Sequence, residues 1–213
     1  MLFRSDWMNT LANRAFAATE WITKFAYINL LWIGFSLAGL IILGFFPATI
    51  AMFTIIRKWL KGETEIPIFR TFWTTWKSEF FRSNGLGLLV AAVVGLIVFN
   101  LVFVELGNGL ISVIQIPIYL FMFAAIMTIL YLFPVYVHFE LKWFQIVKIS
   151  FLMMLISPIE NIVMIAGIVA VLFVVKFIPA LGFFFGGSLI AAIIMSAAYL
   201  VFGKMDRKRS VTE

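Results

Sequence analysis

The sequence predicts an all-α polytopic membrane bundle with five long spanning helices, one short or re-entrant helix, and interfacial amphipathic helices. Of its 213 residues, 64% are hydrophobic and only 12% are charged, which is too little polar surface for a water-soluble domain of this size. Several uncharged runs reach the roughly 20 residues that a helix needs to cross a bilayer. Together, these observations indicate a protein that lives in a membrane.

The segment at residues 25–56 carries no charged side chain or histidine, and it determines the predicted topology. As one straight helix it would be about 48 Å long, against a hydrocarbon core of about 30 Å. Pro47 lacks a backbone donor and clashes with the preceding turn of a helix, whereas Gly44 tolerates backbone angles that other residues avoid. The sequence therefore predicts a helical hairpin with its turn at residues 44–49.

The whole chain, residues 1–213, is predicted to form a single integral membrane domain. Residues 2–24 have one apolar face, which favours a helix at the level of the lipid headgroups, with a plain cytosolic lead-in as the alternative. Gly107, Asn108 and Gly109 predict a tight turn between two spans. The predicted spans are residues 25–43, 47–60 (short), 84–104, 111–137, 158–176 and 180–202.

Two further stretches have the pattern of amphipathic helices outside the spans, residues 68–81 and 141–156. The first is the more pronounced, and its aromatic side chains recur at helical spacing. Aromatic residues at this density are typical of anchoring at the membrane interface, and a docking surface for a partner protein is the alternative. The residues of this aromatic face are Phe69, Phe72, Trp73, Trp76 and Phe80.

A few polar residues fall inside or beside the apolar runs. Asn29 would be costly in lipid without a hydrogen bond, so we expect it to join neighbouring helices, with a ligand contact as the less favoured role. Ser157, Pro158 and Glu160 match the pattern of a helix start, with a serine cap, proline at the first position and glutamate at the third. The pattern predicts that Glu160 caps a helix rather than carrying protons.

The distribution of basic residues favours a complete hairpin over a single crossing. If the hairpin returns to the side it left, only Lys176 of the 16 basic residues lies on the opposite side from the others. The positive-inside rule prefers that arrangement, with both termini cytoplasmic.

Residues that could carry chemistry are scarce. The chain has no cysteine and one histidine, His138, so thiolate sites and histidine clusters are excluded. No phosphate-binding glycine loop is present. We expect no catalytic residues, no cofactor, no metal and no nucleic-acid partner, and therefore no enzyme.

Two short motifs resemble a known family. Residues 27–32 read YINLLW, residues 44–51 read GFFPATIA, and Arg57, Lys58 and Lys61-Gly62-Glu63 follow. This pattern, continued by Phe69, Phe72 and Trp73, resembles the YesL family of uncharacterised bacterial integral membrane proteins. The residues that match its motif are Asn29, Trp32, Gly44, Pro47, Ala48 and Thr49.

The resemblance implies a function only indirectly. Members of this family are often encoded beside carbohydrate ABC importers and polysaccharide-degrading enzymes. The resemblance therefore implies that this protein is an accessory or assembly component of bacterial carbohydrate uptake in the cell membrane, in contact with lipid and with ABC importer subunits. A stand-alone small-solute transporter or channel, and a membrane regulatory protein without transport activity, are the alternatives.

Overall fold

The computed structural model describes residues 3–105 and 112–212, and apart from short connections these residues are helical. Six helical segments are long and apolar enough to cross a membrane, which confirms the predicted all-α membrane bundle. The predicted turn at Gly107–Gly109 lies outside the described residues. The helices are α1 Phe3–Ala38, α2 Ile42–Leu60, α3 Ile68–Glu105, α4 Ser112–His138, α5 Trp143–Ile156, α6 Pro158–Phe177, α7 Pro179–Leu181 and α8 Gly187–Thr212, with a π-helical turn at Gly182–Gly186 before α8.

The hairpin between α1 and α2 turns earlier than predicted, at residues 39–41 rather than 44–49. The Ile41 N–H donates to Ser36 O (2.9 Å) and the Leu40 N–H to Leu37 O (3.1 Å), the two bonds of a Schellman motif. Leu40 and Ile41 have φ values of 60° and 64°. The helix α1 is therefore ended by backbone capping, with a leucine in the left-handed position that glycine usually occupies.

Gly44 serves close helix contact instead of the turn. A Cβ atom at Gly44 would lie 2.4 Å from the carbonyl oxygen of Ser36, and one at Gly39 would lie 2.2 Å from the Cα atom of Gly44. Any side chain at either position would push α1 and α2 apart. The glycine that suggested a flexible break in the sequence thus marks the tightest point between two helices.

Pro47 lies inside α2, and the helix continues through it. Proline has no N–H to donate to the carbonyl four residues earlier, which here belongs to Leu43. The Asn84 side chain of α3 fills this gap, because its Nδ2 donates to Leu43 O (2.9 Å) and also to Phe80 O (2.7 Å). The carbonyl that proline leaves free is satisfied by a neighbouring helix, which explains why proline does not break α2.

Two predicted boundaries disappear in the structure. The interfacial lead-in at residues 2–24 and the first span form one helix from Phe3, and the amphipathic stretch 68–81 and the span 84–104 form the single helix α3, 38 residues long. The boundary was predicted where the amphipathic stretch gives way to the uncharged run after Arg82. Ser83 and Asn84 at this point both bond back to Phe80 O within α3. Such bonds let polar residues remain inside a helix.

The helix α2 is the centre of the bundle. It packs against α1, α3, α4 and α8, and most of its residues from Pro47 to Ile56 are buried. The helix α6, in contrast, exposes large apolar side chains over much of its length, including Ile162, Phe173 and Phe177. In a bilayer these exposed side chains face lipid.

We predict that Asn84 and Pro47 are energetically coupled. Asn84→Leu should lower the free energy of unfolding by about 1–2 kcal/mol, because it leaves the Leu43 carbonyl without a partner. In a Pro47→Ala background the restored N–H can bond to that carbonyl, so the same change should cost at least about 0.5 kcal/mol less. Reversible unfolding of the four proteins in mixed detergent micelles measures this cycle. Costs that add within about 0.3 kcal/mol would contradict the repair of the Leu43 carbonyl by Asn84.

Candidate functional site

Asn29 of α1 occupies the π-helical turn that interrupts the last span. Its Nδ2 donates to Phe183 O (2.7 Å), and its Oδ1 accepts the Ser188 N–H (2.9 Å). This carbonyl and this N–H are five residues apart, the pair that a π-helix would join directly. The carboxamide of Asn29, which is 1% exposed, is therefore inserted between them and satisfies both.

The other motif residues hold the hairpin around this contact. Trp32 Nε1 donates to Thr49 Oγ1 (3.0 Å), and Thr49 Oγ1 donates to Phe45 O (2.7 Å), so a side-chain bond joins α1 to α2. Ala48 is fully buried in α2. A Cβ atom at Gly187 would lie 3.0 Å from Asn29 Oδ1, so that glycine permits the close approach of α8. Asn29, Trp32, Gly44, Pro47, Ala48 and Thr49 are all packing positions.

The helix start at Ser157 differs from the prediction. Pro158 is the first residue of α6, but the Ser157 side chain forms no capping hydrogen bond. The Glu160 carboxylate instead forms an ion pair with Lys204 near the end of α8. Glu160 is nearly buried and Lys204 is exposed, so the pair sits at the edge of the bundle. The predicted capping box is therefore replaced by a contact to a residue that local sequence spacing could not reveal.

The aromatic face of α3 is largely an internal surface. The ring of Phe35 in α1 lies 5.1 Å from Phe72, 5.6 Å from Trp73 and 5.5 Å from Trp76, between centroids. Phe72 is fully buried, so it contacts neither lipid nor a partner. Phe69 and Trp73, which are about half exposed, form the outward part of this face, while Trp76 and Phe80 are partly buried.

A polar cavity of about 1080 Å³ lies where α2, α3, α4 and the start of α5 meet. None of the six motif residues lines it. Its walls carry both signs of charge, several hydroxyl groups, and the aromatic rings of Tyr136, Trp143 and Phe144. The ionisable residues that line this polar cavity are Arg57, Glu79, Arg82, His138, Glu140 and Lys142.

One wall of the polar cavity is fixed by a chain of interactions centred on Tyr136. The Tyr136 hydroxyl donates to the Glu79 carboxylate, and the Arg82 guanidinium lies 5.2 Å from the centroid of the tyrosine ring. Arg82 Nη2 also donates to Leu141 O (3.0 Å), in the connection between α4 and α5. Because Glu79 and Arg82 each have a partner within the protein, this wall is preorganised.

Arg57 faces the same cavity from α2 without such a partner. Its Nε is buried and has no hydrogen-bond acceptor among the residues that the structure describes. A buried guanidinium donor without an acceptor is costly. The Arg57 side chain as a whole is half-buried and lines the cavity, so a ligand oxygen there would meet its guanidinium group. In the sequence, Arg57 and Arg82 are recognisable only as basic residues between two spans, because the residues that line the cavity with them lie up to 88 positions away.

His138 packs at the rim of the polar cavity among aromatic rings. Its ring centroid is 4.2 Å from that of Phe202 and 4.7 Å from that of Phe139. In the described part of the chain, no three histidine, aspartate or glutamate side chains are grouped as metal ligands would be.

Comparison with known proteins gives a consistent set of relatives. A family model described as "Protein of unknown function, DUF624" matches residues 25–101. In Bacillus subtilis (strain 168), the uncharacterized protein YteU is 37% identical over 188 residues, covering 88% of this chain and 85% of YteU. The uncharacterized protein YesL is 36% identical over 207 residues, 95% of this chain and 96% of YesL. The uncharacterized protein YesV is 30% identical over 198 residues, which cover 92% of this chain and 95% of YesV. No solved structure matches the chain.

We predict that Asn29 is required for the stability of the π-helical turn. Asn29→Leu should lower the free energy of unfolding by about 2 kcal/mol or more, because it leaves a buried carbonyl and a buried N–H unsatisfied. It should also accelerate hydrogen exchange at the Ser188 amide. The matched control is Asn100→Leu, since Asn100 Oδ1 has no partner within the described residues. An equal loss of stability in both leucine variants would contradict the role of Asn29.

Proposed function

We propose that this chain is a non-enzymatic accessory or assembly component of bacterial carbohydrate uptake, associated with an ABC importer. The chain belongs to the DUF624 family and is related to YesL, YteU and YesV of Bacillus subtilis. The motif resemblance described above is the source of the carbohydrate assignment. The structural observation that supports an accessory role concerns the polar groups inside the bundle.

The buried polar side chains of the described spans are mostly engaged by the protein's own backbone. Side chains that pass through the bundle interior and line a substrate path must instead be free to contact water or solute. Some buried atoms, among them Ser36 Oγ, Asn100 Oδ1 and Tyr131 Oη, have no partner within the described residues, and these three lie on three different helices. The side chains bonded to backbone atoms are Asn29, Thr49, Asn84, Ser150, Asn161 and Ser188.

Surface for partner subunits is available beside the polar cavity. Phe81 and Phe144 are 88% and 90% exposed, and Phe144 is a cavity-lining residue at the start of α5. Together with the exposed parts of Phe69 and Trp73, they form aromatic projections of the kind enriched in protein interfaces. These projections support contact with importer subunits.

The interruption of the last span is the feature that a stand-alone transporter would use. Broken helices in transporters often expose backbone groups that bind substrate. Here, however, the Phe183 carbonyl and the Ser188 N–H at the break are both bonded to Asn29. This occupancy supports a structural interruption, and it leaves the accessory role as the better supported function. A regulatory membrane protein without transport activity shares the same features.

We further propose that the chain lies in the bacterial cell membrane with both termini in the cytoplasm. Six crossings return the chain to the side on which it began. The basic residues then concentrate on one side, as the positive-inside rule requires of the cytoplasmic side.

The accessory role predicts a defined complex. Affinity-tagged full-length protein, extracted from its own bacterium in mild detergent, should co-purify with the permease or ATPase subunit of a carbohydrate ABC importer in a fixed ratio. Liposomes that contain only this chain should show no solute flux above empty liposomes. Recovery of the chain alone while the importer remains intact would refute the role, and flux through the chain alone would establish the transporter instead.

The proposed orientation predicts a labelling pattern. The chain has no cysteine, so single cysteines can replace Asn13, Thr64, Asn108 and Ser210. In intact cells, a membrane-impermeant thiol reagent should label only the cysteine at position 108. Labelling at 13 with protection at 64 would mean that the first hairpin crosses the membrane once, and would contradict the proposal.

A further inference from the structure

A second cavity, an apolar groove of about 700 Å³, is formed by α3, α4 and α5. Its walls come from Leu89 and Val93 of α3, Leu120 and Ala125 of α4, and Phe151 of α5, with other apolar side chains of the same helices. Apolar surface of this kind on a membrane helix bundle is in contact with acyl chains or with another apolar segment.

The three helices that form the apolar groove, α3, α4 and α5, also line the polar cavity, to which α2 contributes as well. Along α3 the polar cavity uses residues 75–82 and the groove uses residues 89–93; along α5 the polar cavity uses residues 143–145 and the groove begins at Val147. The indole of Trp143 lies at the boundary, packed against Gly85, where a Cβ atom would be 2.4 Å from the ring. A polar compartment therefore adjoins an apolar one along a common direction.

The charge of the polar compartment favours an anion. Three cations, Arg57, Arg82 and Lys142, face it together with two carboxylates, Glu79 and Glu140, and His138 lies at its rim. The Glu79 carboxylate already accepts the Tyr136 hydroxyl. The buried Nε of Arg57 still has no acceptor among the described residues. A phosphate oxygen in the cavity would accept hydrogen bonds from the half-buried Arg57 guanidinium, in the geometry for which guanidinium groups are suited.

We propose that these two compartments together bind one anionic phospholipid, with its headgroup phosphate at Arg57 and Lys142 and an acyl chain in the apolar groove. A phospholipid carries the required anion and the required hydrocarbon in one molecule, and the bilayer around the six spans supplies it. Basic pockets between membrane helices bind anionic headgroups for the same reason. The lipid site is independent of the proposed role in carbohydrate uptake.

The test measures lipid binding to the full-length purified chain. Delipidated protein is titrated with phosphatidylglycerol or phosphatidylcholine, and bound lipid is counted by native mass spectrometry. One saturable phosphatidylglycerol site is expected, with phosphatidylcholine at least about tenfold weaker. Arg57→Gln and Ala125→Trp should each weaken phosphatidylglycerol at least about tenfold, the first by removing the phosphate donor and the second by filling the groove.

Two matched variants control for charge and bulk. Lys77→Gln removes an exposed cation of α3 that does not line the polar cavity, and Ala92→Trp adds the same bulk at an exposed position of α3 that does not line the groove. Both should bind phosphatidylglycerol as the parent protein does. Helix content by circular dichroism and a single peak in size-exclusion chromatography verify that each variant is folded.

Three results would overturn the proposal. Equal binding of the two lipids, or equal losses in Arg57→Gln and Lys77→Gln, would mean that no specific anionic site exists. Competition by glycerol phosphate at the same concentration as the lipid, with Ala125→Trp unaffected, would indicate a small-anion site that does not use the groove. Absence of a saturable lipid site in a folded protein would leave the groove to a helix of a partner subunit.

Discussion

Two asparagine side chains satisfy the backbone where membrane helices of this protein depart from regular α-helical bonding. Asn84 bonds to the carbonyl that Pro47 frees in α2, and Asn29 joins the carbonyl and N–H on either side of the π-helical turn before α8. In hydrocarbon, an unsatisfied backbone group costs several kcal/mol because no water can replace the lost bond. The irregular backbone of the bundle is therefore possible only because α1 and α3 lie where they do. Helix packing and backbone satisfaction are the same constraint in this fold.

This constraint also explains the central position of α2. A helix that contains proline needs a neighbour at the freed carbonyl, and Asn84 of α3 provides it. Gly39 and Gly44 let α1 approach α2 closely, and Gly87 lets α3 pack against Phe46 of α2. Trp32 and Thr49 add a side-chain bond between the two arms of the hairpin. The hairpin motif thus buries a proline-containing helix at the centre of the bundle.

Much of the fold follows from the sequence, and its departures have local physical causes. Uncharged length predicts the six apolar helices, because the thickness of the bilayer leaves few other solutions. The turn between α1 and α2 was predicted at the wrong residues because a glycine and a proline in an apolar run can mark either a break in a helix or a site of helix packing. The contact of Gly44 with Ser36 and the bond of Asn84 to the carbonyl that Pro47 frees show that both residues are packing sites. At the start of α6, Pro158 is the first residue and Glu160 lies in the first turn as predicted, but the Ser157 side chain makes no capping bond. A carboxylate near a helix start can accept bonds from the local backbone or pair with a distant cation, and Lys204 is 44 residues away.

The candidate site was the least predictable part, because its residues come partly from within the matched family region and partly from beyond it. Residues 25–101 include Arg57, Glu79 and Arg82 but not Tyr136, Leu141 or Lys142. Basic residues near a span end are expected wherever a loop is cytoplasmic, so sequence cannot distinguish a solvated charge from one that lines a cavity. The structure shows that Arg57 and Arg82 both line the cavity. Arg82 is held by Tyr136 and Leu141, whereas the buried Nε of Arg57 has no acceptor in the described part of the chain. The same dependence holds for Asn29, whose two backbone partners lie in the last span. Both features need the N-terminal hairpin and the C-terminal half together, and the relatives YteU, YesL and YesV align with this chain across both.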